Sequence, residues 1–181
     1  MVKTKPIKSA KLRRLVVTAR PSSQKTHGRL HAGVNTFACA IGASSIRRHK
    51  REGDRATPAG HFRLIEGFFK PGHRPATLIP MRVLTKAMGW CEDPAAASYN
   101  RLVRLPSHDG HERMWRDDEL YDIVLVLDYN MRPRRRNLGS AIFMHCARPD
   151  FSPTLGCVAL RAEDLRKLLP RLARDALLVV R

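Results

Sequence analysis

No two of the four cysteines, Cys39, Cys91, Cys146 and Cys157, stand in a CxxC pair, which removes the zinc-ribbon class. Their scatter through 181 residues gives no sign of a disulfide framework. No run of about 18 apolar residues occurs, so no helical membrane span is expected. In the basic N-terminal stretch MVKTKPIKSAKLRRLVVTARP the only apolar run is LVVTA, too short for the core of a secretory signal. Acidic residues are scarce: 16 Asp and Glu face 34 Lys and Arg, a net charge of +18. That surplus calls for an anionic partner, whether nucleic acid, an anionic membrane surface or an acidic polymer. The basic turns IRRHKR and MRPRRRN lack interleaved aromatics, and no helix-turn-helix or finger pattern appears, which argues against a nucleic-acid partner.

What is present reads as one strand-rich domain. Residues 1–10 have the composition of a basic flexible arm, and residues 11–181 form the domain. RRLVVTA, GRLHAGV, NTFACAIGA, HFRLIEGF, YNRLVRL and GSAIFMHCA are short strand patterns separated by polar turns. LYDIVLVLDYN carries the strongest strand signal, a buried run from Ile123 to Leu127. Lys70 to Pro80 contains three prolines and is loop or edge. RAEDLRKLLPRL repeats leucines at helical spacing, and ALLVVR ends the chain as a strand. The expected fold is α+β and strand-rich: a β-sandwich or barrel with a C-terminal helix and a final strand.

The chemistry concentrates in AIFMHCARPDFSPTLGCVAL. Cys157 follows a Pro/Gly turn twelve residues after His145, and Gly156 permits close backbone approach just before the thiol. If SAIFMH and CVAL are neighbouring strands, thiol and imidazole come together. Two readings then stand: a packed thiol beside a core histidine, or a nucleophile with its base, the thiol pKa lowered beside an imidazolium.

This block resembles the active-site block of the L,D-transpeptidase catalytic domain, the YkuD-like family, in which a His precedes a Ser/Thr-x-Gly-Cys turn. Here those residues are His145, Thr154, Gly156 and Cys157. GDRATPAGHFRL is similar to the family's T-P-x-G-x-F turn and strand, and HERMWRDDELYDIVLVLDYN looks like the region before its central strand. The resemblance runs from about Leu12 to the end. It implies a cysteine acyltransferase of peptidoglycan stem peptides that needs no metal or cofactor. Cys157 would be the nucleophile and His145 the base. Gly156 and Cys157 N–H groups would hold the oxyanion, and the Cys146 position would supply a carbonyl to orient the base.

Leu155 stands where many members carry His, and Ala159 where many carry Arg or Asn. With the short His-to-Cys spacing, the pattern is closer to the small alpha- and betaproteobacterial branch that makes 1-3 links than to the branch making 3-3 links. A related branch hydrolyses such links. Because stem peptides carry free carboxylates, Arg148 is the leading carboxylate binder. His111, Glu112, Trp115, Arg116 and Tyr121 lie ahead of the central strand and are expected to cap the cleft. A cell-envelope or periplasmic location follows from that chemistry. The basic surface would then be held near anionic envelope polymers.

Overall fold

The computed structural model describes residues 11–20 and 26–181; the arm expected over residues 1–10 lies outside them. The strands are β1 (Leu12–Ala19), β2 (His27–Ala32), β3 (Asn35–Ala40), β4 (Ile46–Arg47), β5 (Thr57–Pro58), β6 (Gly60–Phe69), β7 (Met81–Val83), β8 (Met88–Cys91), β9 (Leu102–Arg104), β10 (His111–Arg113), β11 (Ile123–Leu127), β12 (Phe143–Cys146), β13 (Val158–Leu160) and β14 (Leu172–Val180), with helix α1 (Ala162–Leu168) before the last. The main sheet runs β11-β12-β13-β3-β2-β1-β14-β6-β7, and β11 also pairs with β6. All but the edge strand β7 therefore close into a barrel, which removes the open edges a flat sheet would leave. Closure depends on the chain's end returning to its start: β14 lies parallel to β1 and antiparallel to β6.

Alternation dictates what fills the barrel. In β6, Phe62 and Leu64 are buried while His61, Arg63 and Ile65 between them are exposed. Phe62, Leu64, Leu125, Met144, Cys146, Val158 and Leu160 join the interior cluster with Leu165, Leu168 and Leu169, the buried stripe of α1 and the turn after it. Burying each such leucine stabilises the fold by about 2 kcal/mol before entropy is counted. A second cluster lies on the outer face of β6, β11 and β12. It is built from Phe68, Trp90, Met114, Tyr121, Val124, Val126 and Phe143. A small sheet, β10-β8-β9, covers that face. β11 is thus buried on both sides, and this is why IVLVL reads as an unbroken apolar run.

The expected elements and the observed ones differ at the helix end and at the shortest strands. The helix stops at Leu168, Leu169–Arg171 make a 3-10 turn, and Leu172 already belongs to the strand. Pro170 has no N–H to continue the ladder. β8 and β10 are not evident from the sequence, because strands of three or four residues carry too little alternation to read. Among the described residues, no helix is long and apolar enough to cross a membrane.

Candidate active site

β11 and β12 are antiparallel with Val124 opposite His145 and Val126 opposite Phe143. β12 and β13 are parallel, with His145 beside Ala159. Side chains alternate across a strand, so Phe143, His145 and Ala159 share the outer face, while Met144, Cys146, Val158 and Leu160 point into the barrel. Cys157, two residues before Ala159, falls on the same face as His145 and packs in the outer cluster. Sequence and register together bring the pair to one surface, where both line a cleft of about 570 Å³.

The turn that delivers Cys157 is held on several sides. The Thr154 hydroxyl donates to the Cys157 carbonyl at 2.7 Å and accepts from the Gly156 N–H at 3.1 Å. Thr154 also exchanges backbone hydrogen bonds with the chain after β3: its N–H donates to Ile41, and its carbonyl accepts from Ala43. Gly156 has φ of +138°, and a Cβ there would come within 2.8 Å of the Ala56 carbonyl. Only glycine fits both demands. The Gly156 N–H expected to face an oxyanion is thus occupied by Thr154.

The thiol is fixed in orientation. The Phe143 N–H donates to Cys157 Sγ at 3.4 Å, and the S–H donates to the Ala141 carbonyl at 3.3 Å. Ala141 has φ of +51°, a left-handed conformation that costs a non-glycine residue about 1 kcal/mol. Burial pushes the thiol up to about 12, the Glu112 charge adds to this, and the Phe143 N–H and Lys50 oppose it. His145 is likewise buried, which pulls its pKa down to about 4 against the favourable Cys146 carbonyl. The lowered thiol pKa expected from the sequence is therefore not what the structure shows. Both groups rest uncharged, because each is desolvated and its partner is neutral.

His145 Nδ1–H donates to the Cys146 carbonyl at 2.8 Å. A carbonyl only accepts, so the neutral ring keeps its lone pair on Nε2. Cys146 contributes this carbonyl alone: its thiol points into the barrel interior, with Sγ 4.0 Å from the Ile123 carbonyl, and is pushed up to about 11 by burial. The ring of Tyr121 meets the His145 ring edge-on at 5.1 Å, and its hydroxyl donates to Glu112. Burial raises the Glu112 carboxyl, the Tyr121 hydroxyl lowers it, and the Glu92 charge raises it further.

Arg116 lies over the Tyr121 ring at 5.3 Å and grips Asp118 with two bonds of 2.9 and 2.8 Å. Glu112, Arg116 and Tyr121 thus line the cleft but are engaged with one another or with Asp118. Arg148 also lines it; 53% exposed, it stands 3.7 Å from an Asp118 oxygen that Arg116 already holds. The expected cap is corrected at two positions. Trp115 packs on the outer cluster, with Lys70 and Lys86 each 5.9 Å from its ring. His111 pairs with Cys91 in the small sheet and donates to the Asp109 carbonyl. Neither lines the cleft.

Residues that the sequence reading passed over complete the site. Lys50, in the basic turn IRRHKR, is only 5% exposed. Its ammonium donates to Asp54 at 2.7 Å, and its stem runs against Gly139 and Gly156. It is the cation that favours ionisation of Cys157. Glu52 and Glu92 line the cleft near Glu112, opposite Arg116 and Arg148 in sign. The signal for this loop was REGD, two residues before the TPAG turn: Asp54 accepts from Arg51 N–H and Ala56 N–H and shapes it. No curated protein matches this sequence. The model of the L,D-transpeptidase catalytic domain, YkuD, matches residues 14–180, nearly the whole chain, and the protein belongs to that family.

Proposed function

We propose that the protein is a peptidoglycan L,D-transpeptidase that works through a Cys157 acyl-enzyme, with 1-3 links favoured over 3-3 links. One observation carries the reading: Cys157 and His145 line one cleft from one face of adjoining strands, with His145 Nδ1 engaged on a carbonyl so that Nε2 is the basic nitrogen. Sγ attacks a stem-peptide carbonyl as its proton passes to Nε2. The ion pair exists only while the charges attract one another in a dry site, which suits two groups that are neutral at rest. The tetrahedral oxyanion is held by the Cys157 N–H, with Gly156 supplying the backbone conformation. Collapse expels the leaving amine, which takes the proton from Nε2. The acceptor amine of diaminopimelate then attacks the thioester and loses its proton to Nε2, and the thiol returns.

The cleft carries both signs: Arg116 and Arg148 line it together with Glu52, Glu92 and Glu112. Stem peptides likewise carry both carboxylates and amines. Arg148 is the carboxylate binder because it is the more exposed of the two arginines and has only a distant partner. The 1-3 preference rests on Leu155, 75% exposed at the cleft rim, and on Ala159; both leave the acceptor side without the usual His and Arg. The envelope is the location this chemistry requires, and protease accessibility in intact cells tests it. Incubation with defined muropeptides and mass spectrometry of the products tests the function. A 1-3 linked dimer is the expected product; a 3-3 dimer overturns the link preference, hydrolysis alone assigns the site to amidase chemistry, and no turnover removes the reading.

A further inference from the structure

A second concavity, an open surface pocket of about 500 Å³, lies apart from the cleft and is lined by Arg101, Arg132, Arg134 and Arg136 over a floor that includes Tyr99 and Met131. Among the described residues no acidic side chain lines it. Among the described residues none of the four arginines has an ion-pair partner; the one hydrogen bond is from Arg134 Nε to the Met131 carbonyl at 3.4 Å. Among the described residues, Arg13, Arg82, Arg116 and Arg148 do stand beside a carboxylate. Four like charges converging on one concavity repel one another. An unpartnered set costs stability unless a ligand offsets it.

The arginines are presented by a built loop. Asn130 closes it, donating to the Arg135 and Gly139 carbonyls at 2.9 and 2.8 Å and accepting from the Arg135 N–H at 2.9 Å. Asn100 anchors its base, donating to the Tyr129 and Asn130 carbonyls. The floor is equally firm: Tyr99 is 3% exposed, and its hydroxyl donates to Glu52 and accepts from the Gly139 N–H. Little backbone order is left to impose when a ligand arrives; the arginine side chains are what binding must fix.

We infer that this cavity binds a compact ligand carrying two or more phosphoryl groups. Guanidinium forks match phosphate oxygens two at a time. Four of them around one small volume demand a charge density that single carboxylates do not supply. The volume is within the range of small-molecule sites and exceeds what one phosphate fills. A nucleic acid is the poorer occupant, since among the described residues the one lining aromatic is the buried Tyr99, which leaves no face for a base to stack on.

Calorimetric titration with inorganic pyrophosphate tests this on the full chain. The expected result is one-to-one binding, at least about tenfold tighter than citrate, weakening steeply with salt. The Arg132→Ala/Arg134→Ala/Arg136→Ala variant should lose affinity by about thirtyfold or more. A variant removing equal charge elsewhere, Arg48→Ala/Arg113→Ala/Arg174→Ala, should lose far less. Thermal melts check that both variants fold. Equal loss in both variants, or citrate binding as well as pyrophosphate, would overturn the site, as would a single-stranded oligonucleotide that outcompetes pyrophosphate. Phosphatidylcholine vesicles with and without phosphatidylinositol bisphosphate distinguish the source. Binding that requires the bisphosphate lipid and is displaced by pyrophosphate marks a lipid-borne ligand, and pyrophosphate binding without vesicle binding marks a soluble one.

Discussion

Cys146 and Cys157 make an instructive pair. Both thiols are buried, both are free, and both are pushed up by burial, to about 11 and about 12. Neither burial nor acidity tells them apart. The difference is the face of the sheet: Cys146 points into the barrel among leucines, while Cys157 faces the cleft with His145, between the Phe143 N–H and the Ala141 carbonyl. In the proposed mechanism the nucleophile is set apart by the base and the opening it shares, and its resting pKa says little about it.

The sharpest break of that comparison is to remove each thiol in turn. Cys157→Ala is expected to lower turnover of a stem-peptide substrate by more than about a thousandfold, with the fold intact by circular dichroism. Cys146→Ser should keep turnover within a few-fold, since only its carbonyl serves the site. Next in size is the base: His145→Ala should cost more than about a hundredfold at neutral pH. Rising pH should restore part of it as the thiol ionises unaided, and an unchanged pH profile would place the base elsewhere.

Acid should act through the same histidine. Its folded pKa of about 4 lies below the ordinary 6.5, so the unfolded chain binds the extra proton first. Stability from this residue is complete above about pH 6.5 and is lost as pH falls towards 4, a change on the order of 3 kcal/mol. Urea midpoints across that range check it, and His145→Gln should flatten the slope. Smaller again is the effect of the buried cation. Lys50→Met with Asp54→Asn removes the pair together, so no buried charge is left alone. The thiol should then ionise only at higher pH and be alkylated more slowly by iodoacetamide at fixed pH. Smallest is Thr154→Val, which frees the Gly156 N–H and the Cys157 carbonyl and should cost a few-fold in turnover.

These contrasts also mark what the sequence discloses. The thiol and its histidine are legible because each sits in a short strand beside a diagnostic turn, and period-two alternation carries both to one face. The barrel is legible through β11, whose five buried residues need cover on both sides. The state of the thiol is not, because it depends on desolvation by Tyr121, Phe143 and the small sheet, all set by tertiary packing. Lys50 escapes notice for the same reason: within RRHKRE it looks solvated, and only the fold draws it beneath Gly156. Trp115 mislead in the opposite sense, as an aromatic near the site in sequence that serves the outer cluster.

The most direct measurement is intact-protein and peptide mass spectrometry after a brief incubation with an acyl-donor muropeptide. The account predicts one acyl group per chain, carried on Cys157, absent in Cys157→Ala and retained in Cys146→Ser. An acyl group on Cys146, or full turnover in Cys157→Ala, would contradict it.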